Sequence, residues 1–216
     1  ETNKFENYII YNDSDYIVIN KPRGIAVQSG TNNLRNIIDT LKKTKYFKYT
    51  KPYIVHRLDK ETSGVFLIAK NRESAQFFTS LFRIRKIHKT YLAIVKGEVP
   101  RSEKKMEDFL EYYEKNKKIK QKAVTFFKVL KSNNKYSLLE LDPKTGRKHQ
   151  LRKQLSIRGF PIIGDQKYIF KQNKNSTNQP MLLHSYKIKF LKNDKKFNYK
   201  AELDNEFKKK LNLYFR

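Results

Sequence analysis

Two five-residue runs set the core of this chain. Val65-Phe66-Leu67-Ile68-Ala69 and Tyr91-Leu92-Ala93-Ile94-Val95 carry no charged side chain. A strand that is apolar on both faces belongs inside a sheet covered on both sides. The first run therefore reads as a buried strand and the second as a central one. Around them the spacing changes. Tyr8 to Tyr11 and Tyr16 to Ile19 flank Asn12-Asp13-Ser14-Asp15, which predicts strand, turn, strand. Val124 to Leu130 and Tyr136 to Leu141 flank Ser132-Asn133-Asn134, a hairpin signal. His184, Tyr186, Ile188 and Phe190 alternate with Ser185, Lys187 and Lys189, the mark of a strand with one buried face.

Helical spacing occurs in four places. Leu34, Ile37, Ile38 and Leu41 form one apolar stripe, with Asn33 as its expected cap. Asn71 can cap a second helix that carries Ala75, Phe78, Leu81 and Phe82 inward. His149 to Arg158 suits a third, with Leu151 and Leu155 inward and Gly159 as its stop. Asn205 to Tyr214 suits a closing helix. Residues 100–120 are charged and poorly periodic and read as an excursion or mobile loop; residues 171–180 read as a surface loop. Hairpins interspersed with helices predict an α+β fold with a mixed, mainly antiparallel sheet and flanking helices.

Length and charge narrow the function classes. A chain of 216 residues is one large domain or one domain of two lobes, at roughly 150 residues per domain. Aromatic residues at 13 % argue against disorder. There is no cysteine, which excludes a disulfide framework, a thiolate zinc site and a cysteine nucleophile. No apolar run approaches the ~20 residues of a membrane span. Lys and Arg number 48 against 21 Asp and Glu, a net charge of +27 that favours an anionic partner, nucleic acid ahead of a membrane surface. Lys-rich composition contributes to the same surplus.

Three stretches carry candidate chemistry. The densest is His56-Arg57-Leu58-Asp59-Lys60-Glu61-Thr62-Ser63-Gly64, placed just before the buried strand where a scaffold can hold polar groups rigidly. Asp59 there suits a nucleophile or general base kept ionised by a cation and hydrogen bonds. The same residues also suit a turn whose Asp caps backbone amides. In Thr145-Gly146-Arg147-Lys148-His149-Gln150-Leu151-Arg152, the side chains Arg147, His149 and Arg152 suit an anion-binding group. An ordinary basic helix start fits these residues equally. Lys89-Thr90-Tyr91 leads into the central strand, where Tyr91 can stack on a base or serve as a core tyrosine. No G-x-G-x-x-G or Walker loop occurs, and the four histidines lack metal-ligand spacing. Ser102-Glu103-Lys104-Lys105 and Lys144-Thr145-Gly146 match two serine–lysine hydrolase motifs, but the Ser-Asp-Asn that should accompany them is missing.

At His56 to Gly64 the chain resembles the HRLD-x-x-TSG signature of the RluA-type pseudouridine synthases. Further segments resemble the same family in order. They are Ile19-Asn20-Lys21-Pro22-Arg23-Gly24-Ile25, Lys89-Thr90-Tyr91-Leu92-Ala93, Thr145 to Arg152, Gly159 to Asp165 with Tyr168, and Leu183-His184. The resemblance implies isomerisation of uridine to pseudouridine in RNA, with no cofactor and no metal. It implies the family's α+β fold, with a catalytic cleft between two lobes. It makes Asp59 the catalytic aspartate, Tyr91 the tyrosine that packs on the target base, and Arg152 the arginine paired with the catalytic carboxylate. Arg57 matches the arginine that enters the RNA stack as the target flips out. His56, Arg147 and His149 are expected on the RNA, and Thr62, Ser63, Gly64, Lys89 and Gln150 in support. Lys148 and Gln28 depart from the family's usual residues, away from the three proposed catalytic positions.

The overall likeness favours the RluC/RluD type that acts on large-subunit rRNA, with a tRNA/rRNA dual-specificity type as runner-up. The expected partner is RNA, rRNA ahead of tRNA, with no membrane, a monomeric chain, and a bacterial cytoplasmic or organellar location. Residues 1–216 are expected to form one catalytic domain without an S4 RNA-binding domain. The chain opens on Glu1 and the motifs start about twenty residues in, which suggests a fragment of a longer enzyme. A non-catalytic RNA-binding or ribosome-assembly protein is the competing class, motivated by charge.

Overall fold

The computed structural model describes residues 5–29, 36–115, 117–169 and 179–216. The chain divides into two compact units. One comprises Glu1–Lys89 with His184–Asp204, the other Thr90–Leu183 with Asn205–Arg216.

In the first unit, β1 (Ile9–Asn12) and β2 (Tyr16–Lys21) form an antiparallel hairpin, and β2 runs antiparallel to β4 (Ser63–Ala69). The Asn12–Asp15 turn forms because the Asp13 Oδ1 accepts the N–H groups of Asp15 and Tyr16, each at 2.8 Å. The short β3 (Tyr53–Ile54) pairs with the far end of β4, opposite Ala69 and Ile68. β9 (Leu183–Lys192) lies parallel to β4 at Ser63–His184 and Gly64–Ser185, and β10 (Lys195–Lys200) returns antiparallel along β9. Every residue of β4 is buried, as its composition requires. Tyr16, Val18, Val65, Leu67 and Ala69 share one face and pack with Phe78, Ile188 and Phe190. Fully burying one such side chain contributes about 1.5–3 kcal/mol.

Two helices serve this unit. α1 (Ile37–Lys42) buries Ile37, Ile38 and Leu41, and its cap is Asn36, whose side chain accepts the Asp39 N–H. The expected cap Asn33 and the stripe residue Leu34 lie outside the described residues. α2 (Arg72–Arg83) starts at Asn71 as anticipated, with Oδ1 accepting the Ser74 N–H at 2.8 Å. It turns Phe78 fully inward.

The second unit is an antiparallel sheet in the order β5 (His88–Lys96), β8 (Tyr136–Pro143), β7 (Lys117–Ser132), β6 (Lys105–Glu114). β5 buries Tyr91 to Val95. Its Ile94 bonds Leu182 and Ile163 on the edge away from β8, so the strand is bonded along both edges at this point, as a central strand should be. Asn133 Oδ1 accepts from Lys135 and Tyr136 and closes the β7–β8 turn. α3 (Gln150–Ile157) buries Leu151 and Leu155, and Gly159 follows at φ +83°. In α4 (Asn205–Tyr214), Phe207 is buried and Tyr214 stacks on Tyr136 at 4.0 Å.

One expectation is overturned. Residues 100–120 are largely strand: β6 (Lys105–Glu114) pairs with β7 (Lys117–Ser132) through Lys105–Phe126 to Glu114–Lys117. The apolar alternation is thin, with Met106 and Leu110 inward. The charged run that hid it is an ion-pair ladder: Glu107 meets Lys122 and Glu111 meets Lys118 across to β7, and Glu107 also meets Lys105 of its own strand. The loop expected at 171–180 falls mostly on residues 170–178, outside the described set.

Candidate active site

The first unit presents the His56–Gly64 segment as a braced turn. Asp59 is half-buried, and its carbonyl accepts the Thr62 N–H at 3.0 Å, which closes the turn. Next to it, the Lys60 carbonyl accepts the Gly24 N–H at 2.9 Å and the Lys21 Nζ at 3.2 Å. Lys21 is fully buried, and Nζ also donates to the carbonyls of Pro22 (2.9 Å) and Ile25 (2.8 Å). Burial pulls the Lys21 ammonium down to about 7, while the charges of Glu61 and Asp59 favour it. One buried cation thus ties the Lys21–Ile25 loop to the Asp59 turn.

After the turn the chain enters β4 through Thr62 and Ser63, both buried. Ser63 Oγ lies 2.9 Å from His184 Nδ1, and His184 Nε2 lies 3.0 Å from the Ala201 carbonyl. A carbonyl only accepts, so Nε2 carries the proton, Nδ1 accepts, and Ser63 donates. Burial lowers the His184 pKa, which keeps the ring neutral. Gly64 sits at φ +111°, and a Cβ there would lie 2.0 Å from the Ser185 carbonyl oxygen. Only glycine allows β9 this close.

His56 turns away from solvent. Its Nε2 accepts the Leu67 N–H at 2.9 Å, and its ring stacks on Phe82 and tilts against Phe66, both at 4.6 Å. Burial, helped by the Lys89 charge, lowers its pKa to about 3. His56 therefore braces β4 as a neutral ring. Lys89 itself lies over the Phe82 ring at 5.9 Å. Arg57 is exposed to solvent.

The second unit holds the remaining candidates. Tyr91 is buried in β5 opposite Leu141. Thr145 Oγ1 donates to Gln150 Oε1 at 2.6 Å, and the Arg147 N–H donates to the same oxygen at 3.1 Å. Gln150 Nε2 reaches Thr125 Oγ1 and the Val124 carbonyl, and Thr125 donates on to Gln154. This network anchors the start of α3 on β7. His149 takes a left-handed conformation, φ 52° and ψ 29°, at the helix cap, and its Nδ1 lies 2.8 Å from the Tyr168 hydroxyl. Such a backbone costs about 1–2 kcal/mol for a side-chain-bearing residue. Arg147 Nε donates to the Lys122 carbonyl at 3.2 Å.

Arg152 is buried and gives two donors to Asp165: Nε to Oδ2 at 2.7 Å and Nη2 to Oδ1 at 2.8 Å. Its guanidinium also lies over the Tyr168 ring at 5.1 Å. Burial works against ionisation of Asp165. The Arg152 fork and the N–H groups of Lys167 and Tyr168 outweigh it, and the carboxyl lies below its ordinary range. Arg147, His149 and Arg152, expected as an anion-binding group, meet the Lys122 carbonyl, Tyr168 and Asp165 respectively. Each has its own structural partner. Lys21, Asp165 and Tyr168 carried no assigned role in the sequence reading. For Lys21 the available signal is a lysine two residues beyond the apolar run 16–19.

Among the described residues, no cluster of three or more His, Asp or Glu is placed to hold a metal ion, and no helix is long and apolar enough to cross a membrane. Residues 15–157 match the family model described as RNA pseudouridylate synthase. Ribosomal large subunit pseudouridine synthase D of Borreliella burgdorferi is 38 % identical over 195 residues, 83 % of this chain and 60 % of that protein. Ribosomal large subunit pseudouridine synthase C of Buchnera aphidicola (from Schizaphis graminum) is 36 % identical over 227 residues, 95 % of this chain and 70 % of that one. The counterpart from Rickettsia felis is 38 % identical over 174 residues, 75 % of this chain and 56 % of its own. The chain thus spans between 56 % and 70 % of the length of these curated relatives. Among solved structures, human RNA pseudouridylate synthase domain containing 4 aligns with a TM-score of 0.80 at 27 % identity, covering 98 % of this chain and 94 % of that one.

Proposed function

This chain belongs to the RNA pseudouridylate synthase family, and on that premise we propose that it isomerises uridine to pseudouridine in large-subunit rRNA through Asp59. The observation that carries the reading is the Asp59 turn. A carboxylate is held half-buried by a backbone bond to Thr62 and by the Lys21 and Gly24 bonds to Lys60. Such bracing serves a group whose position matters to chemistry.

The reaction breaks the N1–C1′ bond, turns the uracil, and joins C5 to C1′. The C5 proton is released and N1 is reprotonated. Atoms and oxidation state are conserved, so no co-substrate is consumed. Asp59 supplies the carboxylate for this exchange. Tyr91 packs on the target base, and Arg152, its fork oriented by Asp165, supplies positive charge. Exposed Arg57 fills the stack the flipped uridine leaves, which offsets part of the few kcal/mol that flipping costs. rRNA is the substrate because the relatives are named for it. The RNA-rich compartment that follows is bacterial cytoplasm or an organelle.

The test is carbodiimide primer-stop mapping on unmodified large-subunit rRNA and tRNA, with wild type beside Asp59→Ala. Stops at defined uridines of rRNA with wild type alone are the expected result. Stops that persist in Asp59→Ala overturn the residue assignment. Stops on tRNA only overturn the rRNA target, and tight binding without product on either RNA overturns catalysis.

A further inference from the structure

The first unit carries a basic groove away from the Asp59 turn. It lies beside the end of β4 where Tyr53 pairs with Ala69, whereas Asp59 precedes the opposite end at Ser63. Two adjoining hollows of about 450 Å³ and 530 Å³ share Tyr53 and Arg72. One wall is a stripe of α2: Arg72, Gln76, Thr79, Ser80 and Arg83. That spacing keeps the side chains on one helix face, opposite the inward Phe78. The other wall is the 48–51 segment, with Lys48 and Lys51 beside Tyr49 and Tyr53.

The chemistry of these walls is one-sided. No lining residue of either hollow is acidic. Lys48, Lys51, Arg72 and Arg83 are exposed. This sets the groove apart from the lysine-rich β6–β7 ladder, where Glu107 and Glu111 pair with Lys105, Lys118 and Lys122. Lys70 is the exception within the groove, since its Nζ is tied to Asn12 and to the Asp13 carbonyl. The aromatic rings lie among the cations. Lys48 Nζ is 5.2 Å from the Tyr49 centroid and Lys51 Nζ is 5.3 Å from that of Tyr53, and Tyr49 is 87 % exposed.

We propose that this groove binds the phosphate backbone of the substrate RNA at a distance from the target uridine, with Tyr49 and Tyr53 as stacking surfaces for unpaired bases. Arg, Lys, Gln and hydroxyl donors suit phosphate and sugar oxygens. Exposed aromatics between cations suit single-stranded bases, whereas an acidic protein surface would use the charges and leave the rings idle. The reach is short. The six residue steps from Tyr53 to Asp59 span at most about 20 Å when extended, so one RNA segment can touch both places. The proposal rests on RNA being the substrate and adds a second contact outside the reacting centre.

The experiment is RNA binding by fluorescence anisotropy across 50–300 mM salt, on a large-subunit rRNA fragment, with product mapped in parallel. Wild type is compared with Lys48→Gln/Lys51→Gln/Arg72→Gln/Arg83→Gln. A control removes the same charge elsewhere: Lys128→Gln/Lys131→Gln/Lys195→Gln/Lys196→Gln. The groove variant is expected to lose about tenfold or more in affinity at 50 mM salt, and its log–log salt slope to shrink by about 3. Tyr49→Ala is expected to weaken binding to unpaired RNA without changing the slope. Equal losses in the groove and control variants overturn the proposal, because net charge then explains the effect. Unchanged RNA binding with lost affinity for polyglutamate also overturns it, in favour of an acidic protein partner. Absence of product from wild type, with the groove-specific binding loss intact, refutes the enzymatic reading and still supports the groove.

Discussion

Gly64→Ala tests whether the contact that positions the Asp59 segment is as tight as its geometry indicates. The added Cβ would lie 2.0 Å from the Ser185 oxygen, 2.7 Å from its carbon and 2.8 Å from its nitrogen. All three are backbone atoms, so no rotamer change relieves the clash. β4 and β9 must part by roughly 1 Å to restore a 3.0 Å contact. That movement works directly against the Ser63–His184 bond and the Ser185 Oγ bond to the Val65 carbonyl, both buried. Leaving buried polar groups unsatisfied costs about 1–3 kcal/mol each. Holding an L-residue at φ +111° adds about 1–3 kcal/mol. The sum runs from about 3 to about 9 kcal/mol, a large share of the ~5–15 kcal/mol that keeps a domain folded. Gly159→Ala is the matched control, with φ +83° and nothing within 4 Å of the new methyl. It should lose only the backbone cost of about 1–2 kcal/mol. Urea unfolding followed by circular dichroism should place the Gly64→Ala midpoint about 1.5 M below wild type, at about 2.5 kcal/mol per M. A Gly64→Ala loss within ~1 kcal/mol of the Gly159→Ala loss would refute the close-approach argument.

Other outcomes follow from the same structure. His56 has a folded pKa near 3 against 6.5 in an unfolded chain, so between these values the unfolded state holds a proton that the folded ring refuses. The His56 share of stability should then fall as pH drops from 6.5 towards 3, by up to about 1.4 kcal/mol per unit. His56→Phe, whatever its own baseline, should flatten that slope in melts at pH 5 and 7, leaving the smaller share from His184. Lys21→Met takes the ammonium from the carbonyls of Pro22, Ile25 and Lys60, of which Lys60 keeps the Gly24 N–H, and should cost about 2–4 kcal/mol in urea titration, with faster amide exchange at Gly24 and Thr62. Asn71→Ala removes the α2 cap and should cost about 1 kcal/mol by the same titration. Glu107→Gln/Glu111→Gln frees the lysines of the β6–β7 ladder and should steepen the salt dependence of RNA binding; an unchanged slope would place that face off the RNA.

The strands were legible where burial is two-sided or strictly alternating. The stretches 65–69 of β4 and 91–95 of β5 are apolar throughout, and β9 alternates from Tyr186 onward, so periodicity alone locates them. β6 escaped because its inward face holds only Met106 and Leu110 as buried apolar anchors. Its outward Glu residues look like a solvated run until the register sets each beside lysines of β7. Pairing across strands is non-local, and spacing within one segment cannot display it. The α1 boundary moved for a related reason. Asn36 sits inside the apolar stripe and looks like a helical residue, yet its side chain bonds the Asp39 N–H and starts the helix.

For the candidate site, residue types were legible but their supports were not. Asp59 and Arg152 stand out in sequence as a carboxylate and an arginine inside dense motifs. Nothing in the spacing says that Lys21, thirty-eight residues before Asp59, donates to the carbonyl beside it, or that Asp165 takes the Arg152 fork. These supports share a physical logic. Each buries an ion, which costs several kcal/mol unless hydrogen bonds saturate it. Lys21 meets three carbonyls and Asp165 meets a bidentate guanidinium with two N–H groups. An ion saturated in this way has few other places to go, and that fixes the loop around it. A neutral side chain could fill the same volume with less desolvation but would leave the turn free to shift. The buried charges are therefore best understood as positional devices, which is why replacing Lys21 with Met should loosen Gly24 and Thr62 as well as lower stability.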